Sequence, residues 1–194
     1  MKPFNKILRQ LVVYFEFVWI YSLGKALGIS YIVRYLRNPN PLITVKLLRG
    51  FGAKVGNKTT IKRSLFIDNA YEDRNSAGDF SFLEIKDNCY IGDVVYFDLS
   101  NQIIIEDNSV ISGQVSFITH ADCNRSPFLD KKFPRISKPI IVRKGAWIGF
   151  GTTIMSDVTI GENSVVAACS LVRQNIGNKT VAGGVPAENI RKIE

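Results

Sequence analysis

Between Val142 and Val172 every sixth residue is a branched aliphatic: Val142, Ile148, Ile154, Ile160, Val166 and Val172. A period of six matches neither the 3.6-residue repeat of a helix nor the simple alternation of a strand. Four residues after each aliphatic stands a second inward candidate, in turn Ala146, Thr152, Val158, Ser164, Ser170 and Ile176, mostly small or β-branched. The two series describe a short strand, a corner and the next strand, with one large side chain per edge turned inward. Gly149, Gly151 and Gly161 fall at or near the corners, where a missing Cβ permits unusual dihedrals. Such turns stack at the ~4.8 Å strand spacing and bury an aliphatic column, so the pattern predicts an all-β parallel solenoid. A meander of hairpins would need turn residues between longer strands and would not hold one register.

The same register opens at Val55, Ile61 and Ile67, lapses through the polar residues 69–82, and resumes in phase at Ile85 and Ile91. Near Asn101 the phase slips by two, and Ile105, Ile111 and Phe117 follow. Residues 119–139 then interrupt the repeat with a stretch too polar and too rich in Pro for a core strand. A loop of that length inside a solenoid points to a task. Residues 1–54 read instead as helices, broken at Gly28 and stopped at Asn38-Pro39-Asn40-Pro41. The expected organisation is a hydrophobic, basic helical segment (1–54), a solenoid domain (55–186) with an extruded loop (119–139), and a C-terminal tail (187–194).

Charge sharpens the first of these pieces. Residues 1–54 hold nine Lys or Arg and Glu16 as the one acid, so this segment carries the whole +8 excess of the 194-residue chain. Mixed with Phe15, Val18, Trp19 and Tyr21, these cations suit either an element lying on an anionic membrane surface or a helical cap packed on the solenoid end. The apolar run from Gln10 to Gly24 is short for a membrane span, is interrupted by Glu16, and lacks a convincing cleavage site for a signal peptide. Nucleic-acid binding is a poor account of charge set in so apolar a segment. Cys89, Cys123 and Cys169 are odd in number and show no metal-type spacing, which indicates a reducing, cytoplasmic setting and no structural metal.

His120, the chain's one histidine, stands where a coil gives way to the 119–139 loop. An imidazole titrates near neutrality and suits a general base for a hydroxyl nucleophile, although a lone histidine can equally be structural.

The hexad register, Thr119-His120, the interruption after it, and the segments AWIGFGTTI (146–154), VTIGENSVVAACSLV (158–172) and AGGVPAENIRKI (182–193) together resemble the hexapeptide-repeat acyltransferases. The resemblance covers about residues 55–193. It implies a left-handed parallel β-helix, the use of acetyl-CoA as co-substrate, and homotrimers whose sites lie between adjacent prisms. The segment LLRGFGAKVG and the basic N-terminus look like the branch that O-acetylates sugars of surface polysaccharides; a lipid-linked acceptor in that branch would suit peripheral contact at the inner membrane face, beside the capping alternative. His120 then corresponds to the catalytic base of a direct transfer, and a backbone N–H of Gly149 to Gly151 to the oxyanion donor.

By the same similarity, Trp147 lies beside the acetyl and pantetheine channel, with a subunit contact as its competing reading. Phe150 and Ala168 meet the pantetheine arm, and Arg191 and Lys192 approach the CoA phosphates unless they are solvated charges; where many members have Thr-Lys this chain departs with Arg173-Gln174, which offers the phosphates a cation one residue earlier. Gly184, Val185 and Pro186 match a closing turn. Where sugar acetyltransferases carry an acceptor-binding Asn, this chain has Gly92, so Asp93, Asp98 and Ser100 are the acceptor candidates. A small soluble acceptor (an amino sugar, serine or an antibiotic) and a non-catalytic scaffold are the other readings. A single histidine argues against the zinc-dependent solenoid hydratases.

Overall fold

A computed structural model describes residues 3–194, with side chains from Ile7 onward; Lys2 and the Lys6 side chain, part of the basic N-terminal reading, lie outside the described residues. Three helices come first: α1 (Pro3–Leu27), α2 (Ile29–Tyr35) and α3 (Pro41–Gly50). Gly28 breaks the first from the second with φ +90°. Asn40 caps α3 by accepting the Leu42 N–H at 3.1 Å, with Pro41 at the first helical position.

The chain then winds into coils that each give one strand to three parallel sheets. The first coil holds β1 (Lys54–Val55), β2 (Thr60–Ile61) and β3 (Phe66–Asp68), and the second β4 (Leu83–Ile85), β5 (Tyr90–Ile91) and β6 (Tyr96–Asp98). The third holds β7 (Ile103–Ile105), β8 (Val110–Ile111) and β9 (Ser116–Phe117). After β9 the chain forms a separate antiparallel pair, β10 (His120–Ala121) with β11 (Ile136–Ser137), around the short helix α4 (Pro127–Lys132). The fourth coil resumes with β12 (Ile140–Val142), β13 (Trp147–Ile148) and β14 (Thr153–Ile154), and the fifth holds β15 (Thr159–Ile160), β16 (Val165–Val166) and β17 (Leu171–Val172). The sheets run β1-β4-β7-β12-β15, β2-β5-β8-β13-β16 and β3-β6-β9-β14-β17.

Register explains the sixfold pattern. Val55, Ile85, Ile105, Val142 and Ile160 stack in the first sheet, and Ile61, Ile91, Ile111, Ile148 and Val166 in the second. Ile67, Phe97, Phe117, Ile154 and Val172 stack in the third. All are at most 7% exposed, and the secondary series from Ala146 to Ile176 is buried with them. The phase slip has a plain cause. The third coil begins two residues late because Leu99 and Ser100, both buried, are added to the corner between the third and first sheets.

The corners correct the expectation for two glycines. Left-handed backbone falls three residues past the inward aliphatic, at Asn88, Asn108, Asn163 and Cys169 among others, and at Gly145 and Gly151. Gly149 and Gly161 stand one residue past the aliphatic and have no positive φ. They are glycines because a Cβ would lie 2.5 Å from Ala168 N or 2.4 Å from Asn178 N, on the backbone of the next coil.

Both ends are closed. Ile32, Leu36, Ile43, Leu47 and Leu48 of the α2–α3 region are fully buried and continuous with the solenoid core. At the other end residues 187–192 do not trail as a tail. They form β19 (Ala187–Lys192), which returns antiparallel along β18 (Thr180–Gly184) and extends the second sheet.

Coil stacking therefore predicts that Gly161→Ala lowers stability by more than about 2 kcal/mol, because backbone rather than a side-chain tip meets the added methyl. Gly177→Ala, whose Cβ would find nothing nearer than 3.6 Å, is expected to change stability by less than about 1 kcal/mol. Chemical denaturation of the two variants checks this, and equal losses would contradict it.

Candidate active site

The insertion leaves the prism at the corner between the third and first sheets, and His120 sits at its root with a side chain 25% exposed. Its partner is Asp98, at the end of β6 one coil earlier, with a side chain 1% exposed. His120 Nδ1 lies 2.6 Å from Asp98 Oδ2, which also accepts the Thr119 N–H at 2.8 Å and the His120 N–H at 3.0 Å. Asp98 Oδ1 accepts the Asn69 amide at 2.8 Å and the Ser100 N–H at 3.2 Å. Burial alone would raise the Asp98 carboxyl above its ordinary range. The bonds from Asn69, His120 and Ser100 and the adjacent imidazole outweigh burial and hold it below. An ionised Asp98 only accepts, so Nδ1 is the donor of this pair, and in the neutral ring that tautomer makes Nε2 the acceptor nitrogen.

A second layer braces this pair. Arg135, from the far side of the insertion, donates through Nη2 to both Asp73 oxygens at 2.7 and 2.8 Å and to Ser100 Oγ at 2.6 Å, while Nη1 donates to Asp122. Ser100 Oγ in turn donates to Asp73 at 3.1 Å. Burial would raise the Asp73 carboxyl, but the Asn75 N–H, Ser100 and Arg135 together keep it low. One guanidinium thus ties the excursion at 69–82 to the insertion, beside His120.

The other expected site residues gather on a different edge. Trp147, 52% exposed, points outward from β13, its indole N–H donating to Ser112 Oγ at 3.2 Å. Phe150 and Gly151 turn the corner between the second and third sheets directly after Gly149, with Ala168 at the equivalent corner one coil further. Gly149 N–H is bonded to Val166 O and Gly151 N–H to Gly113 O, which leaves the Phe150 N–H as the donor of that run with no partner among the described residues. Asp93 lies on this same edge, its carboxylate accepting the Arg63 N–H at 3.0 Å.

Arg173 is exposed on the His120 edge, two coils on, since Ile118, Met155 and Arg173 follow stacked residues. Arg191 is exposed on β19, and Lys192 is held by Thr180 Oγ1 at 2.9 Å.

Asp98 and Ser100, expected to meet an acceptor, are thus both enclosed and engaged with His120 and Arg135. Asn69, Asp73 and Arg135 escaped the sequence reading altogether, and Thr119 entered it only as the neighbour of His120. The available signal was the Asp after inward Phe97, placed one coil below the Thr119-His120 pair. Among the described residues no group of three His, Cys, Asp or Glu side chains is placed to hold a metal.

The three-sided parallel solenoid thus carries a carboxylate-oriented imidazole at the root of an insertion and exposed aromatics on the next edge. Residues 139–174 match the model of the family described as bacterial transferase hexapeptide (six repeats). A candidate colanic acid biosynthesis acetyltransferase of Escherichia coli, WcaF, is 30% identical over 146 residues, covering 75% of this chain and 72% of that protein. The chain belongs to the hexapeptide-repeat transferase family, and its parallel prism fits a left-handed β-helix. Galactoside O-acetyltransferase of Lactococcus lactis is 32% identical over 132 residues; the match spans 58% of this chain and 64% of that relative, just under two thirds of its length. A galactoside acetyltransferase solved in complex with coenzyme A superposes with a TM-score of 0.71 at 26% identity, covering 92% of this chain and 82% of that one.

The Asp98 geometry makes a pH-dependent prediction. A carboxyl held below its ordinary 3.8 contributes stability above that value and loses it as the pH falls through the lower folded value. Asp98→Asn is therefore expected to be less stable than the native protein near neutrality by about 1–3 kcal/mol, with the gap narrowing on acidification. Urea titrations across the acid range measure the gap, and one that stays constant would contradict the assignment.

Proposed function

We propose that this protein is an acetyl-CoA-dependent O-acetyltransferase that acts on a sugar hydroxyl in surface polysaccharide biosynthesis. The observation that carries the reading is the His120–Asp98 pair, whose remaining imidazole nitrogen is free to take a proton from a hydroxyl. The names of the relatives, which act on galactosides or in colanic acid synthesis, support a sugar acceptor. Use of acetyl-CoA and three free cysteines support a cytoplasmic location.

The transfer is direct. His120 Nε2 accepts the acceptor hydroxyl proton as that oxygen forms a bond to the thioester carbonyl carbon. The Phe150 N–H stabilises the carbonyl oxygen as it becomes an oxyanion. Collapse breaks the C–S bond, and the departing thiolate takes the proton from His120. Asp98 stays ionised throughout, fixing the ring and stabilising the imidazolium that forms. No acyl-enzyme is needed.

Within one chain His120 and the Trp147–Phe150 corner lie on different edges of the prism, one six-residue edge or up to about 20 Å apart. The reading therefore takes the site to be shared in a homotrimer, where His120 of one subunit faces the Trp147 edge of its neighbour. The insertion supports this arrangement, because Phe128 and Phe133, 72% and 66% exposed, project from it without cover. Exposed Trp147 and Phe150 and the free Phe150 N–H fit an extended thioester arm on the neighbouring edge, with Arg173, Arg191 and Lys192 available to its phosphates.

Thiol release from acetyl-CoA, measured with free galactosides, nucleotide sugars and lipid-linked glycans, tests the activity and names the acceptor. His120→Ala is expected to lower turnover at least about a hundredfold. Mixing His120→Ala with Trp147→Ala subunits and reassembling them should restore up to about one quarter of native activity, because that fraction of shared sites would hold both intact residues. No release with any acceptor would favour a scaffold, and no recovery on mixing would sink the shared site.

A further inference from the structure

Helix α1 divides its surface unequally. Its inner side is tied to the protein body: Glu16 accepts the Tyr35 hydroxyl at 2.8 Å and the Asn40 amide at 2.6 Å. Burial, with the Glu16 bond added, pushes the Tyr35 phenol up to about 12. Ile20 is 8% exposed, and a Cβ on Gly24 would lie 2.5 Å from Ile32 and 2.6 Å from Phe51. Glu16, the acid that interrupts the apolar run in sequence, is thus turned inward and engaged.

The outer side has no such partners. Leu8, Leu11, Val12, Phe15, Val18 and Trp19 are 40–66% exposed. At 100° per residue they fill one arc of about 120°, and that arc holds no charged residue. Leu42 of α3, 52% exposed, continues the patch beside Leu8 and Val12. Around the helical segment Arg9, Lys25, Arg34, Arg37, Lys46 and Arg49 are exposed, and no acid of residues 7–54 faces solvent with them.

Residues Ile7–Leu27 have the length and composition to cross a membrane. The Glu16 bonds and the Gly24 contact hold the helix against the body along its middle and end, so it lies flat. A flat helix with an uncharged apolar face, in a segment whose own exposed charges are all basic, is complementary to an anionic lipid surface. A second copy of the same face would set like charges against each other. Trp19 and Tyr14 are residue types that favour the headgroup boundary.

We propose that α1 lies in the plane of an anionic membrane leaflet, with the Leu8–Trp19 face among the acyl chains and the exposed Arg and Lys side chains against lipid phosphates. This surface is independent of the acyl-transfer chemistry, and its test uses no turnover.

The full chain is sedimented with phosphatidylcholine vesicles containing about one third phosphatidylserine, and with pure phosphatidylcholine vesicles. Binding is expected to the anionic vesicles and to weaken as salt is raised. Phe15→Glu/Trp19→Glu should reduce partition at least about tenfold at unchanged circular dichroism and molecular mass, whereas Phe15→Leu/Trp19→Leu should retain most of it. Phe15→Ser/Trp19→Ser gives the same comparison without added charge. Absence of vesicle binding by the native chain, or undiminished binding by both polar variants, would overturn the proposal. So would a fall in molecular mass of the polar variants without native vesicle binding, because the face would then join copies of the chain.

Discussion

Everything in this molecule follows from stacking one backbone directly on another at the strand spacing of ~4.8 Å. At that distance a side chain has room only inward or outward. Positions that face along the stack must therefore give way, as at Gly149 and Gly161, where a Cβ would collide with the next coil. The turn is made two residues later by a left-handed residue, as at Asn108 and Gly151. Equal edges result, and they decide where chemistry can be placed. Functional groups meet because the count of residues puts them on one edge, not because a local motif gathers them. Asp98 and His120 are joined because Phe97 and Phe117 stack, their rings 5.3 Å apart.

The departure from equal edges is as informative as the rule. Two buried residues, Leu99 and Ser100, enlarge the corner below His120. There the backbone lends the Ser100, Thr119 and His120 N–H groups to the Asp98 carboxylate. A buried carboxylate is costly unless its oxygens are occupied. With Asn69 and the imidazole completing the set, ionisation is favoured in spite of burial. The ring orientation is therefore fixed before any ligand arrives, which is the condition for an imidazole to act without reorganising. Ser100 extends the network to Asp73 and Arg135, so the insertion carrying His120 is braced from both sides.

The solenoid was legible because each inward position along an edge is one aliphatic, and a missing hexad announces an excursion as clearly as a present one announces a strand. The helical breaks at Gly28 and Asn40-Pro41 were legible because their chemistry is local. Gly149 and Gly161 were read as corner residues because sequence distinguishes poorly between a glycine that turns and a glycine that lets a neighbour approach. The β18–β19 hairpin was missed since an end cannot repeat the pattern it terminates. Asp98 was read as a contact for the acceptor because its partners sit 21 and 22 residues away, and Arg135 reaches Asp73 across 62. Periodicity carries distance along one edge, whereas these bonds join the coil to two insertions that have no period.

Closure of the prism explains why α1 calls for an account of its own. A solenoid end exposes an aliphatic column and an unpaired strand edge, and both are dealt with by the two later helices. Ile32, Leu36, Ile43, Leu47 and Leu48 cover the column. Arg49 donates to Val55 O and Gly56 O at 2.7 and 2.8 Å, meeting carbonyls at the open edge. Little capping remains for α1 beyond Ile20 and its half-buried neighbours Val13, Phe17 and Tyr21. A structural cap would be expected to turn its large apolar residues inward and its charge outward. In α1 the acid is inside, while Phe15 and Trp19 are outside. That inversion is the arrangement favoured when the medium beyond the helix is less polar than water, which the proposed membrane contact would supply.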